Sequence, residues 1–118
     1  EGFVGDYFVG EEIALVDAVP RVSRERVVTA IWSAKESALK AIRVGLLADT
    51  FAVKCLPQGD GLTNVKHQDW SPVLIEWDLS KLKRAAPPLT GWWRVWKDFI
   101  LTIAVIQTGE NYSIHEVH

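Results

Sequence analysis

Between Ser23 and Gly45 the chain runs without a proline or a glycine, and its apolar residues return at the helical period. At about 100° per residue, Val27, Ile31, Ala34, Ala38 and Ala41 fall on one side, with Ile42 beside them. The spacing predicts a helix from Arg24 to Arg43 or Val44. Ser23 is its expected N-cap, Arg26 stands where a capping-box acid would, and Gly45 fits the left-handed residue that ends helices. The apolar face is narrow and rich in small residues, which suits close packing on a sheet. Residues 10–19 read as a shorter helix, with Glu11 and Glu12 favoured by the positive end of its dipole and Pro20 stopping it.

Downstream, every apolar run has strand length. Residues 50–56 read as a strand closed by Pro57, and Gly59-Asp60-Gly61 as a turn. Residues 73–79 form a second strand, and residues 80–90, with Pro87-Pro88, a connection with room for a helical turn. Residues 91–96 and 99–106 suit a hairpin across Lys97-Asp98, and residues 112–117 an edge strand or a loose tail. Helices first and strands after predict an α+β domain, with helices packed on one face of an antiparallel sheet. A chain of 118 residues, 48% apolar with six tryptophans, has the material for one such core and no second domain.

Charge and composition exclude several classes. A net charge of −2 lacks the basic excess of a nucleic-acid binder. No apolar stretch reaches the length of a membrane span, and no basic-then-apolar leader opens the chain. The single cysteine, Cys55, allows no internal disulfide and suits a reducing, cytoplasmic setting, where packing in a core strand is its expected role. Methionine is absent even at position 1, so a fragment of a longer protein is expected.

The polar side of the long helix carries the chemistry. Trp32, Glu36 and Lys40 stand at i, i+4 and i+8 and form one stripe, with Lys35 on its flank. A carboxylate between two ammonium groups is held ionised and can take a divalent cation, while the lysines can meet phosphate. Spacing alone also fits an ordinary solvated ion pair, since Glu36 before Lys40 is the favourable order, worth about 0.3–0.5 kcal/mol. By the same measure a helical Trp32 reads first as core.

Trp32-Ser33-Ala34-Lys35-Glu36-Ser37-Ala38-Leu39-Lys40 resembles the W-x-x-K-E-x-x-x-K motif of the phosphopantetheinyl transferase superfamily. Its flanks resemble the larger, two-halved members, the group of the surfactin-synthetase activator. Phe3, Tyr7 and Phe8 ahead of Glu11-Glu12 look like the segment upstream of the motif, and Gly45-Leu46 with the strand from Phe51 look like its continuation. The resemblance covers residues 3–56 well and the remainder in pattern only. It implies a half-domain: the C-terminal half of such an enzyme, spanning residues 1–118, with the N-terminal half absent.

The implied activity is magnesium-dependent transfer of 4′-phosphopantetheine from coenzyme A to a serine hydroxyl of an acyl or peptidyl carrier protein, with 3′,5′-ADP released. By the same resemblance Glu36 supplies one magnesium carboxylate and helps take the serine proton. Lys40 contacts the pyrophosphate, Lys35 lies near the phosphates or the carrier serine, and Trp32 shapes the pocket wall. The family's remaining metal carboxylates come from a Gly-x-Asp-x-Glu element in the first half. None occurs here, and Asp6 after Gly5 lacks the second acid. The short trimeric members begin with that element, so this chain departs from them. The chain alone is therefore expected to be inactive and to bind metal and coenzyme A weakly. It should also expose an unusually apolar surface, covered by the missing half or by a second copy in a two-fold dimer. A different class of reading is a non-catalytic remnant of the fold that dimerises or binds a carrier protein.

Other residues are less pointed. His67, His115 and His118 show no metal-ligand spacing. Strand alternation sends Trp92 and Trp96 one way and Trp93 the other, one set to core and the other to an interface, with Arg94 on the Trp92 face as a cation–π partner.

Overall fold

The computed structural model describes residues 7–42, 50–64, 66–82, 86–97 and 99–107. Two helices come first. In α1 (Gly10–Ala18) the residue before the helix is Val9, which has no side-chain acceptor, so Glu12 caps from within. Its Oε1 accepts the Val9 backbone N–H at 2.8 Å. A 3-10 turn, Arg21–Ser23, then feeds directly into α2 (Arg24–Ala41). Ser23 occupies the N-cap position as expected, but its side chain makes no capping hydrogen bond. Its backbone is already helical (φ −96°, ψ −9°), and its buried hydroxyl oxygen accepts Arg26 Nη2 at 3.2 Å instead. The expected terminal Gly45 lies outside the described residues.

Four strands follow: β1 (Val53–Pro57), β2 (Ser71–Trp77), β3 (Leu89–Trp96) and β4 (Phe99–Ile106). They form one antiparallel sheet in the order β1-β2-β3-β4. β1 starts later than the apolar pattern suggests, because Thr50–Ala52 closes as a 3-10 turn. The hairpin lies where expected: Trp96 pairs with Phe99, and Lys97 adopts φ 56°, the left-handed conformation that two-residue loops demand. The stretch at 112–117 lies outside the described residues.

Both helices lie on one face of the sheet, which is the α+β architecture predicted. Ala30, Ala34 and Ala38 bring α2 close to the strands, and Ala30, Ala34, Ala38, Leu39, Val53, Cys55, Val73, Leu89 and Trp93 form the main core. Ser33 and Ser37 tie the helix to β4 through the Thr102 hydroxyl, at 2.7 and 3.0 Å. A second cluster of Phe8, Val16, Val19, Val27 and Ile31 seats α1 against α2. Gly91 lets the Ile75 side chain lie close over β3, since a Cβ there would stand 2.6 Å from Ile75 Cδ1.

Register fixes what faces where. Cys55, Val73, Gly91, Trp93 and Thr102 point at the helices, so their neighbours point the other way. Trp93 is 1% exposed and its indole N–H donates to Gln58 O at 2.9 Å, whereas Trp92 is half-buried and Trp96 exposed. Arg94 does make a cation–π contact, over Trp70 at 5.7 Å rather than over Trp92. Among the described residues no helix covers this second face. It carries Leu56, Leu74, Trp92, Trp96, Phe99, Leu101, Ile103 and Val105, with Phe99 61% exposed.

Candidate functional site

The phase of α2 is set from its buried side. With Ala34 and Ala38 against the sheet, helical geometry turns Glu36 almost directly away from it, with Trp32 and Lys40 to either side. Glu36 is half-buried and Lys40 exposed. Among the described residues their side chains join no ion pair or hydrogen bond, so the expected alternative, a closed i,i+4 salt bridge, does not form. Trp32 packs edge-on against Tyr7, with ring centroids 5.4 Å apart and planes at 63°. The structure thus brings Trp32, Glu36 and Lys40 together on one surface.

Lys35 does not join them. One residue is about 100° of rotation, and Lys35 points inward, 0% exposed. Its ammonium meets Glu12 Oε1 at 2.9 Å, Thr50 O at 2.7 Å and Val53 O at 2.5 Å. An ammonium has three N–H donors, so all three are engaged. The expectation that Lys35 lies near the phosphates or the carrier serine departs from this arrangement, because its amine is spent on the interior. The flank of Glu36 is correspondingly less positive than its sequence neighbour suggests.

Glu12 is the residue that sequence reasoning missed. Both first-turn acids read alike as favoured by the helix dipole, but only Glu11 lies at the surface; it reaches Lys54 at 2.9 Å, and Lys54 also holds Glu76 at 2.9 Å. Glu12 is fully buried, and its Oε2 accepts the Cys55 N–H of edge strand β1 at 2.7 Å. Burial pushes the Glu12 carboxyl up from its ordinary range, against the pull of Lys35 and of the Cys55 and Val9 N–H groups. Burial likewise pushes the Cys55 thiol up, which keeps it protonated and inert. The signal was present: Phe8, Glu12, Val16 and Val19 share one helical face, and the other three are apolar.

Magnesium is held by one or two carboxylates, with substrate phosphates and waters completing the shell. Glu36 offers one such carboxylate, and no group of three or more His, Cys, Asp or Glu side chains gathers anywhere among the described residues. The donor set fits a share of a magnesium site in which phosphate oxygens and a further carboxylate come from elsewhere. A cleft of about 650 Å3 lies between the start of α2 and the β3–β4 turn, and one of about 360 Å3 between Glu11, Lys54 and Asp78. Glu36 and Lys40 line neither. Asp6 lies outside the described residues, as do His115 and His118; His67 sits 3.4 Å from the Ser71 hydroxyl.

Among the described residues no helix is long and apolar enough to cross a membrane. The chain shows no match to a curated protein or to a solved structure. The sequence profile of the 4′-phosphopantetheinyl transferase superfamily, however, matches residues 1–104, a span that takes in both helices, the whole Trp32–Lys40 stripe and most of the sheet. The chain belongs to the 4′-phosphopantetheinyl transferase superfamily.

Proposed function

We propose that the protein transfers 4′-phosphopantetheine from coenzyme A to a serine of an acyl or peptidyl carrier protein, and that this chain holds one part of the site. The observation that supports the reading is the outward stripe itself: a carboxylate and an amine one turn apart, unpaired among the described residues, in a chain of this superfamily. In the transfer, the serine oxygen bonds to the phosphorus that carries pantetheine. The bond from that phosphorus to the departing 3′,5′-ADP breaks, and the serine proton leaves. Glu36 accepts that proton directly or through a water, and shares in holding magnesium. Lys40 meets the pyrophosphate. Trp32, braced by Tyr7, forms a wall beside them. Magnesium, when bound, supplies neutralisation of the charge that builds on the leaving phosphate. A reducing cytoplasm suits the sole, buried thiol.

The remaining carboxylates and the nucleotide-holding groups belong, in this reading, to another unit: an N-terminal half or a second copy. The second sheet face, which no helix covers among the described residues, supports such a partner, because it exposes Leu74, Trp96, Phe99, Leu101 and Ile103. The slab is 18 Å across its thinnest direction, with Glu36 on the helix side. A unit stacked on the sheet face therefore reaches Glu36 only by extending round an edge of the slab. The 118-residue chain on its own should self-associate in sedimentation runs, and Leu101→Lys with Ile103→Lys should return it to monomer; a monomeric parent would overturn this surface assignment. The non-catalytic reading draws on the single carboxylate at the stripe. The two readings separate when the product of the full coding sequence is incubated with coenzyme A, magnesium and apo-carrier, and the carrier's intact mass is followed. Gain of one phosphopantetheine per carrier is the expected result, and an unmodified carrier favours the module.

A further inference from the structure

The buried pair of Glu12 and Lys35 joins more of the molecule than any other polar contact described. Glu12 comes from the first turn of α1, and its two oxygens hold the Val9 N–H, the Cys55 N–H and the Lys35 ammonium. Lys35 comes from the middle of α2 and takes the two carbonyls at the mouth of β1, Thr50 O and Val53 O. Every donor of the ammonium is used, and both side chains are 0% exposed. Around α2 the remaining buried neighbours are alanines, valine, isoleucine and leucine. Contacts between such residues carry little direction, and the other directional ties described for the middle of α2, from Ser33 and Ser37, share the single Thr102 hydroxyl. An ammonium with three fixed acceptors is directional.

We propose that Glu12 and Lys35 are positioning residues that fix the rotation of α2 about its axis, and that through this rotation they aim Glu36 and Lys40 at the open side. Lys35 and Glu36 are consecutive, so the direction of one dictates the direction of the next, about 100° away. The Thr50 and Val53 carbonyls set the inward direction; the outward one follows. Tyr7 belongs to the same arrangement, since its carbonyl accepts the Thr50 hydroxyl at 3.1 Å while its ring meets Trp32 on the stripe. The inference rests on the functional reading above for what Glu36 does, but not for where it points.

The sequence supplies a means of testing direction without activity. Cys55 is the sole cysteine and is fully buried, so an introduced thiol reports alone. Glu36→Cys and Leu39→Cys are placed singly, first in the parent and then in a Glu12→Gln/Lys35→Met background, which removes both charges and avoids stranding one of them. Maleimide labelling is timed in each. In the parent, position 36 should label fast and position 39 only through local opening. In the neutral-pair background, still folded by circular dichroism, the ratio should fall about tenfold as the rotation loosens. A second arm measures transfer without the reporter thiols: kcat should fall about a hundredfold, the scale of a misplaced reacting group, and the KM for coenzyme A should rise together with the loss of labelling ratio, as Lys40 turns from the pyrophosphate. An unchanged labelling ratio overturns the proposal. If the ratio holds and the KM for coenzyme A rises, Lys35 touches phosphate directly and the positioning role is wrong. If both ratio and kcat survive, the pair is merely structural. Should the neutral pair fail to fold, Glu12→Asp, which keeps both charges and draws the carboxylate back from Lys35 by one methylene, carries the same readings. A parent that labels as expected but transfers nothing sinks the functional reading and leaves the positioning one standing.

Discussion

Glu36→Gln should lower transfer to a carrier protein by about 10²–10⁴-fold, the range that a positioned proton acceptor contributes. Glutamine keeps the length and shape of the side chain and removes only its charge, so the proton has no base to go to and the cation loses an anionic ligand. Stability should stay within about 0.5 kcal/mol of the parent, because Glu36 points away from the core and, among the described residues, its side chain has no partner to abandon. That combination is the useful part. A group that supported the fold would take stability down with activity, whereas a group presented to a ligand takes activity alone. Intact-mass assays of carrier modification beside urea unfolding of the same preparations check both. A variant that keeps parental activity contradicts the assignment of Glu36.

The opposite pattern is expected one residue earlier. Lys35→Met should destabilise the fold by about 3–5 kcal/mol, the cost of removing one partner from a fully buried ion pair. The loss arises because Glu12 would keep its two backbone donors but face the Thr50 and Val53 carbonyls with no cation between them. Against a total of about 5–15 kcal/mol for a domain this is a large fraction. Adding Glu12→Gln should recover most of the loss, since a neutral amide in the same place no longer has to be stripped of water as an ion. Urea midpoints for the two single variants and the double form a cycle that isolates the pair. Additive losses would mean that the two side chains do not interact. Adjacent residues of one motif would then differ in kind: position 35 governs folding and orientation, and position 36 governs chemistry.

Much of the fold was legible because it rests on periodicity. The run from 24 to 41 repeats Val27, Ile31, Ala34 and Ala38 at one helical face, and all four are buried, Ala34 and Ala38 against the sheet and Val27 and Ile31 against α1. The hairpin was legible because strand alternation and two polar residues at 97–98 leave the chain little else to do. The apolar second face of the sheet followed from the same alternation. What was not legible depended on contacts between distant segments. Lysine is a surface residue by habit, so nothing local marks Lys35 as buried. Its partner sits in another helix and its acceptors on the approach to β1, and only the tertiary arrangement joins them. Ser23 stands at the N-cap position as its type suggests, yet its side chain makes no capping hydrogen bond; the 3-10 turn before it had already made the backbone helical. The outward stripe lies between these cases: periodicity placed Trp32, Glu36 and Lys40 together, and periodicity alone could not say that Lys35 would leave them.

In the proposed site a cation and a diphosphate meet at Glu36 and Lys40. Manganese can stand in for magnesium and broadens the NMR signals of nuclei close to it. The decisive measurement is therefore the amide spectrum of the isotope-labelled product of the full coding sequence, recorded with coenzyme A before and after sub-stoichiometric manganese. Broadening centred on residues 32–40, and absent from Glu36→Gln, is the predicted result. Broadening centred instead on the cleft between Glu11, Glu76 and Asp78, or a spectrum that manganese leaves unchanged, would contradict it.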